Sequence, residues 1–156
     1  MPLTLIATSA ADYAGLTAGA VWNGAVVPPG GLEPADTLKM LAELAGLLQR
    51  AQGWGTWVGV CDGEIVVSIA VKSPLAAGIV DIGYGVAPNR RGRGHATAAV
   101  LALLPILRLM GALRVTASAA VSNPASGRVL TKAGFIMLGH SIDPEDGPLT
   151  DWGLKL

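Results

Sequence analysis

Gly83-Tyr84-Gly85-Val86-Ala87-Pro88-Asn89-Arg90-Arg91-Gly92-Arg93-Gly94-His95-Ala96 is the stretch whose reading decides the fold. It starts in Gly78 to Val86, which reads as a strand. It ends in Ala96 to Met110, an almost unbroken apolar run that reads as a helix buried on more than one side. Small residues where a strand turns into a helix let backbone N–H groups converge on an anion, and the helix N-terminus adds its positive dipole end. A phosphate or pyrophosphate fits such a turn. The stretch is not a P-loop, because no Gly-Lys-Ser/Thr follows. The Gly-x-Gly-x-x-Gly order and the opening βαβ unit of a dinucleotide fold are also missing.

Upstream, Pro28-Pro29-Gly30-Gly31 is a loop, and Pro34 opens a helix in which Leu38, Leu41, Leu44, Ala45 and Leu48 recur at helical spacing. Ala10 to Val21 is Ala-rich and reads as a weaker helix interrupted by Gly15 and Gly19. Thr56 to Cys61 and Ile65 to Val71 read as two antiparallel strands joined by the hairpin signal Asp62-Gly63. A loop at Ser73-Pro74 leads back to the central strand. Downstream, Pro105 is expected to kink or shorten the apolar helix, and Gly111 is its stop. Leu113 to Ala120, Phe135 to Ser141 and Leu149 to Leu156 then read as strands, with a helix at Ala125 to Ala133. The order predicts one α+β domain over residues 1–156, a mixed sheet with a parallel pair around one crossover.

Composition narrows the function. Half of the 156 residues are hydrophobic, 51%, against 14% charged, so a packed core is expected rather than disorder. Lys plus Arg and Asp plus Glu are both 11, which argues against a nucleic acid or an anionic membrane as partner. The lone cysteine, Cys61, excludes an internal disulfide and reads as a small buried hydrophobe, and two histidines give no zinc-ligand pattern, so no metal is expected. Met1 to Ala11 carries neither a basic start nor a long apolar run, and Ala96 to Leu107 is shorter than the ~20 residues of a membrane span. A cytoplasmic protein is the expectation.

Two ordered motifs carry a resemblance. Arg91-Gly92-Arg93-Gly94-His95-Ala96 is similar to the Gln/Arg-x-x-Gly-x-Gly/Ala signature of the GNAT superfamily of N-acetyltransferases. Asn123-Pro124-Ala125-Ser126-Gly127-Arg128-Val129-Leu130-Thr131-Lys132-Ala133-Gly134-Phe135 looks like that family's Asn-x-x-Ser helix ending in Lys-x-Gly-Phe. The lead-in Asp81-Ile82-Gly83-Tyr84 resembles the branch of ribosomal-protein N-terminal and aminoglycoside-type acetyltransferases. The likeness runs from about Gly78 to the C-terminus. It implies a mostly antiparallel central sheet flanked by helices and splayed near Val86, with acetyl-coenzyme A as co-substrate in the split. By resemblance, the amides of Arg91, Gly92, Arg93, Gly94, His95, Ala96 and Thr97 bind the pyrophosphate. Val86 pairs through its backbone with the pantetheine arm, Asn123 bonds that arm, and Ser126 approaches the thioester sulfur. The implied reaction is direct acetyl transfer to a primary amine, of a small molecule or a peptide N-terminus, in a monomer or a homodimer.

The chemistry adds its own requirements. An attacking amine must be neutral, so a carboxylate accepts its proton, and the departing thiolate benefits from a donor. Asp81 is the candidate base and Ser126 the candidate acid, while Tyr84, placed by the motif, joins them as a catalytic candidate. Each has a plainer reading: Asp81 pairs within the sheet, Ser126 faces solvent or its own backbone, and Tyr84, like Trp22, Trp54, Trp57 and Trp152, is core or pocket wall. His95 contributes its backbone. Leu130 stands where many family members place a tyrosine acid, which leaves a non-catalytic acyl-coenzyme A sensor as the rival reading. The three arginines also admit a nucleic-acid patch. The loops at Pro28 to Gly31 and Asp143 to Pro148 are expected to shape the acceptor pocket, with Asp143, Glu145 and Asp146 as either a cation lure or a solvated turn.

Overall fold

The computed structural model describes residues 2–156. Its strands are β1 (Thr4–Ala7), β2 (Val21–Trp22), β3 (Ala25–Val26), β4 (Thr56–Cys61), β5 (Glu64–Val71), β6 (Ile79–Val86), β7 (Arg114–Ala120), β8 (Ile136–Asp143) and β9 (Gly147–Lys155). Its helices are α1 (Ala35–Ala51), α2 (His95–Leu109) and α3 (Pro124–Lys132). The sheet runs in the order β1-β4-β5-β6-β7-β9-β8, and along that path only β6 and β7 are parallel, bridged by α2. This is the expected α+β architecture with one crossover.

The two faces of the sheet hold separate cores. On one, Val80 and Ile82 of β6 and Val115 and Ala117 of β7 pack with Ala99, Val100, Leu103 and Leu107 of α2 and Leu130 of α3. On the other, Leu38, Leu41 and Ala45 of α1 close over Val58, Ile65 and Ala70. Strand alternation sorts the side chains between these faces. The near-continuous hydrophobicity of α2 follows from its wedge between sheet and α3, where Ala99, Val100, Leu103 and Leu107 are wholly buried. Each such leucine contributes roughly 1.5–3 kcal/mol of burial.

Three expectations are corrected. The Ala10 to Val21 helix is a short 3-10 turn, Ala10–Gly15. Asp12 caps its start by accepting from the Ser9 backbone, and holds Trp22 Nε1 with its other oxygen, while the chain leaves the turn at Leu16 and enters the β2–β3 hairpin. That hairpin turns at Asn23-Gly24, both at positive φ, an Asn-Gly signal of the strongest kind that the Ala-rich run obscured. Strand β1 was not expected; it pairs antiparallel with β4 at the sheet edge. Finally, α2 is not cut at Pro105 but runs on to Leu109. Pro105 and Leu101, whose carbonyl loses its helical partner, are both exposed, so that carbonyl is open to solvent. Pro105→Ala, which restores that bond, should raise the unfolding free energy by about 1 kcal/mol, part of the roughly 3 that an interior helix proline costs, read as a higher denaturant midpoint.

Among the described residues, no helix is long and apolar enough to cross a membrane.

Candidate active site

The register of the sheet contains the split. β6 pairs with β5 along Ile82 to Val86, but with β7 only from Ile79↔Arg114 to Ile82↔Ala117. Beyond that point β7 continues through Ala120 against β9 alone. The edge of β6 from Gly83 to Val86 therefore faces an opening, and its polar backbone groups are free to pair with an extended ligand. Val86 lies at the open end.

At the mouth of the opening stands the glycine-rich turn. Gly92 and Gly94 have φ of +76° and +80°, and a Cβ at either would meet nothing within 4 Å, so backbone conformation rather than crowding requires glycine there. The first bond of α2 runs from the Ala98 N–H to the Gly94 carbonyl at 3.0 Å, leaving the N–H groups of His95, Ala96 and Thr97 without a helical partner. Converging free donors at a positive helix end form an anion cradle. Arg91 and Arg93 are exposed beside it. His95 is held mostly neutral, by partial burial first and by the Arg93 charge second.

Arg90 is different from its neighbours. Its Nε and Nη2 grip both carboxylate oxygens of Glu64, at 2.7 and 2.8 Å, and so fasten the turn to the β4–β5 hairpin. The guanidinium holds the Glu64 carboxyl below the usual range, so the pair stabilises the fold above that range and its contribution is lost as pH falls through the lowered value. The pair is partly open to solvent, which screens it and keeps that contribution small. Arg90→Met is thus expected to lower the unfolding midpoint slightly, to remove that acid dependence, and to leave acetyl-coenzyme A affinity near native. A groove of about 310 Å³ lies beside this clasp, lined in part by Glu64, Arg93, Gly94 and His95.

The α2–α3 face of the split carries Tyr84. Its hydroxyl lies 2.7 Å from the Ser126 Oγ in the first turns of α3, so two of the candidate catalytic residues form one hydrogen-bonded pair. Burial pushes the Tyr84 phenol up, against the pull of the Ser126 hydrogen bond, and keeps it a proton donor through neutral pH. Asn123 caps α3 without a side-chain bond to it and is exposed, leaving its amide free. Leu130 is fully buried in the core, which is why a leucine is at home where the family often has tyrosine. Trp152, 8% exposed, packs against Gly127 and belongs to the core, and its edge also lines a cavity of about 470 Å³ beside Asn123 and Thr150.

Around the split, the opposite face is polar. Asp81 Oδ1 accepts from Thr116 Oγ1 at 2.9 Å, in the last stretch where β6 and β7 are still paired. Farther along β7, Asp151 Oδ1 accepts from Ser118 and Ser141. Asp81 and the Tyr84–Ser126 pair therefore stand on opposite sides of the sheet. Sequence reasoning missed Glu33, whose carboxylate accepts from Ser68 Oγ at 2.7 Å and lies against Gly85, where any Cβ would overlap it. The signal was present as Gly85, since a strand glycine marks close approach by something. The Asp143 to Pro148 segment is a hairpin turn in which Asp143 accepts from the Glu145 and Asp146 backbones, and those bonds lower its carboxyl pKa. It is a solvated turn. Among the described residues, no cluster of three or more His, Cys, Asp and Glu is placed to hold a metal ion.

A parallel pair split around an anion cradle defines an acyl-transfer fold of the GNAT type. Residues 3–136 match the model of the acetyltransferase (GNAT) domain, and the chain belongs to that family. The match reaches far ahead of Gly78, so the first half belongs to the family pattern as well. Among solved structures, the microcin C7 self-immunity acetyltransferase MccE with acetyl-CoA and AMP is similar with a TM-score of 0.74 at 14% identity, over 99% of this chain and 93% of that one. The ribosomal L7/L12 α-N-protein acetyltransferase RimL with coenzyme A gives 0.72 at 17%, over 100% and 95%. The aminoglycoside acetyltransferase AAC(6')-Ib with ribostamycin and coenzyme A gives 0.69 at 21%, over 99% and 94%. No curated protein sequence matches the chain.

Proposed function

We propose that this domain transfers acetyl from acetyl-coenzyme A directly to a primary amine, of a small molecule or a peptide N-terminus. The observation that carries the reading is the free β6 edge from Gly83 to Val86 ending at a cradle of unpaired N–H groups. An extended pantetheine arm fits the edge, and a pyrophosphate fits the cradle formed by Arg91 to Thr97. Asn123 is free to bond the arm.

Acetyl-coenzyme A supplies an activated acyl group and a thiolate leaving group. The chain supplies position and protons. A free β6 N–H polarises the acyl carbonyl, and the Tyr84–Ser126 pair protonates the departing sulfur. A carboxylate on the acceptor face takes the proton from the amine, and Asp81 is the one that the motif offers. Solved relatives of this fold act on aminoglycosides or on the N-terminus of a ribosomal protein, which supports an amine acceptor of one of these kinds.

The buried Leu130 favours one second reading, a domain that holds acyl-coenzyme A without turnover. A titration with acetyl-coenzyme A, followed by thiol release on adding an amine panel containing kanamycin and a serine-initiated peptide, separates the two. Binding with release supports the transferase, and binding without release supports the sensor. Absence of binding ends both.

A further inference from the structure

We infer that Glu33, rather than Asp81, is the group that takes the proton from the attacking amine. The assignment rests on the acetyltransferase reading above and adds to it a residue from outside both motifs.

The argument is one of position. The split opens after Ile82, so an acyl carbonyl paired with the free β6 edge lies in the Gly83 to Val86 stretch. Gly85 is in that stretch and points to the polar face, and the Glu33 carboxylate rests directly on it. Asp81 is four residues down the same strand, roughly 13 Å away at ~3.3 Å per residue, and is already engaged by Thr116. A base must come within hydrogen-bond reach of the proton it takes. Glu33 meets that condition without an intervening water chain.

Glu33 is also held in place. Ser68 Oγ donates to its Oε1, while Oε2 has no hydrogen-bond partner among the described residues. The loop before it is tied from the other end, where Asn89 Nδ2 donates to the Pro29 carbonyl at 2.8 Å and its amide fills the space over Gly30. Asn89 sits in the connection that leads to the anion cradle, so one short segment orients both the acceptor wall and the phosphate turn. Leu32, buried beside α1, anchors the chain between these two ties.

The protons balance. An ammonium gives one proton to Glu33 Oε2 and becomes a neutral amine, whose lone pair forms the C–N bond as the C–S bond breaks. The sulfur takes the Tyr84 proton, and the nitrogen sheds its second proton, through water, to restore that hydroxyl. Glu33 then releases its proton to solvent.

The test compares Glu33→Gln with the native protein, because glutamine keeps the Ser68 bond but takes no proton. Acetyl-coenzyme A affinity is measured by calorimetry. Thiol release is measured with benzylamine, protonated at neutral pH, and with hydroxylamine, already neutral there, each above its uncatalysed rate. The expected result is native affinity, a roughly hundredfold loss with benzylamine and little loss with hydroxylamine. Gly85→Ala, which pushes the carboxylate aside, should show the same selectivity to a smaller degree. Equal rates for Glu33→Gln and native protein overturn the assignment, as does an equal loss with both amines. A selective benzylamine loss that appears in Asp81→Asn instead returns the role to Asp81. A native protein that binds acetyl-coenzyme A yet releases no thiol with either amine, with kanamycin or with the serine-initiated peptide overturns the transferase reading and this assignment together.

Discussion

Valine at both Gly92 and Gly94 is expected to abolish measurable acetyl-coenzyme A binding in a calorimetric titration while leaving a folded protein. Both glycines hold φ near +80°, a region that costs an L-residue roughly 1–2 kcal/mol, and a β-branched residue more. The turn is exposed and a Cβ at either position has open space, so the substituted chain relieves the strain by moving the turn rather than by disrupting the core. That movement takes the N–H groups of His95, Ala96 and Thr97 off their common focus. Two strained positions together amount to about 2–4 kcal/mol, or roughly thirty- to a thousandfold in affinity. Native affinity in the double variant would remove the cradle from the cofactor site, and with it the main support for the function. Unchanged circular dichroism in a variant that fails to bind would place the loss in the site.

Tyr84→Phe carries the second large effect. Phenylalanine keeps the ring between β6 and α3 and deletes only the hydroxyl that meets Ser126 at 2.7 Å. If that hydroxyl protonates the leaving thiolate, kcat falls by about 10²–10³ while acetyl-coenzyme A affinity stays native. The pH profile sharpens the prediction. Burial raises the Tyr84 phenol, so the native enzyme keeps its donor through neutral pH and loses activity only at alkaline pH, beyond the ordinary tyrosine range. The variant should lack that alkaline limb. Ser126→Ala should cost less, since it supports the phenol without replacing it. A Tyr84→Phe enzyme with native kcat would pass the acid role to Ser126 or to water.

Much of this architecture was legible in the chain because it is written in local spacing. The α1 stripe of Leu38, Leu41, Ala45 and Leu48 is buried as its period demands, and the Asp62-Gly63 turn joins β4 to β5. The glycine-rich turn was equally legible, because the positive φ of Gly92 and Gly94 is a backbone conformation that glycine order alone encodes. Asn23-Gly24 was legible too but was outweighed by the alanines before it, and the short 3-10 turn there is set by the Asp12 bonds to Ser9 and Trp22. Pro105 does not end the helix, and the Leu101 carbonyl that it leaves unpaired lies on the exposed side.

The sequence by itself determined the order of elements from α1 onward, the parallel pair and the glycine-rich turn between them, since these follow from periodicity and from glycine at a strand-to-helix junction. Only the tertiary structure decided which face each chemical group occupies. Asp81, Gly83 and Gly85 alternate with Ile82, Tyr84 and Val86, so the strand sends its carboxylate to one side of the sheet and its phenol to the other. The partners on each side, Ser126 on α3 and Glu33 before α1, lie 42 and 52 residues away along the chain from Tyr84 and Gly85. No local pattern links residues so distant; packing two helices on opposite faces of one split sheet is what brings them to the same opening.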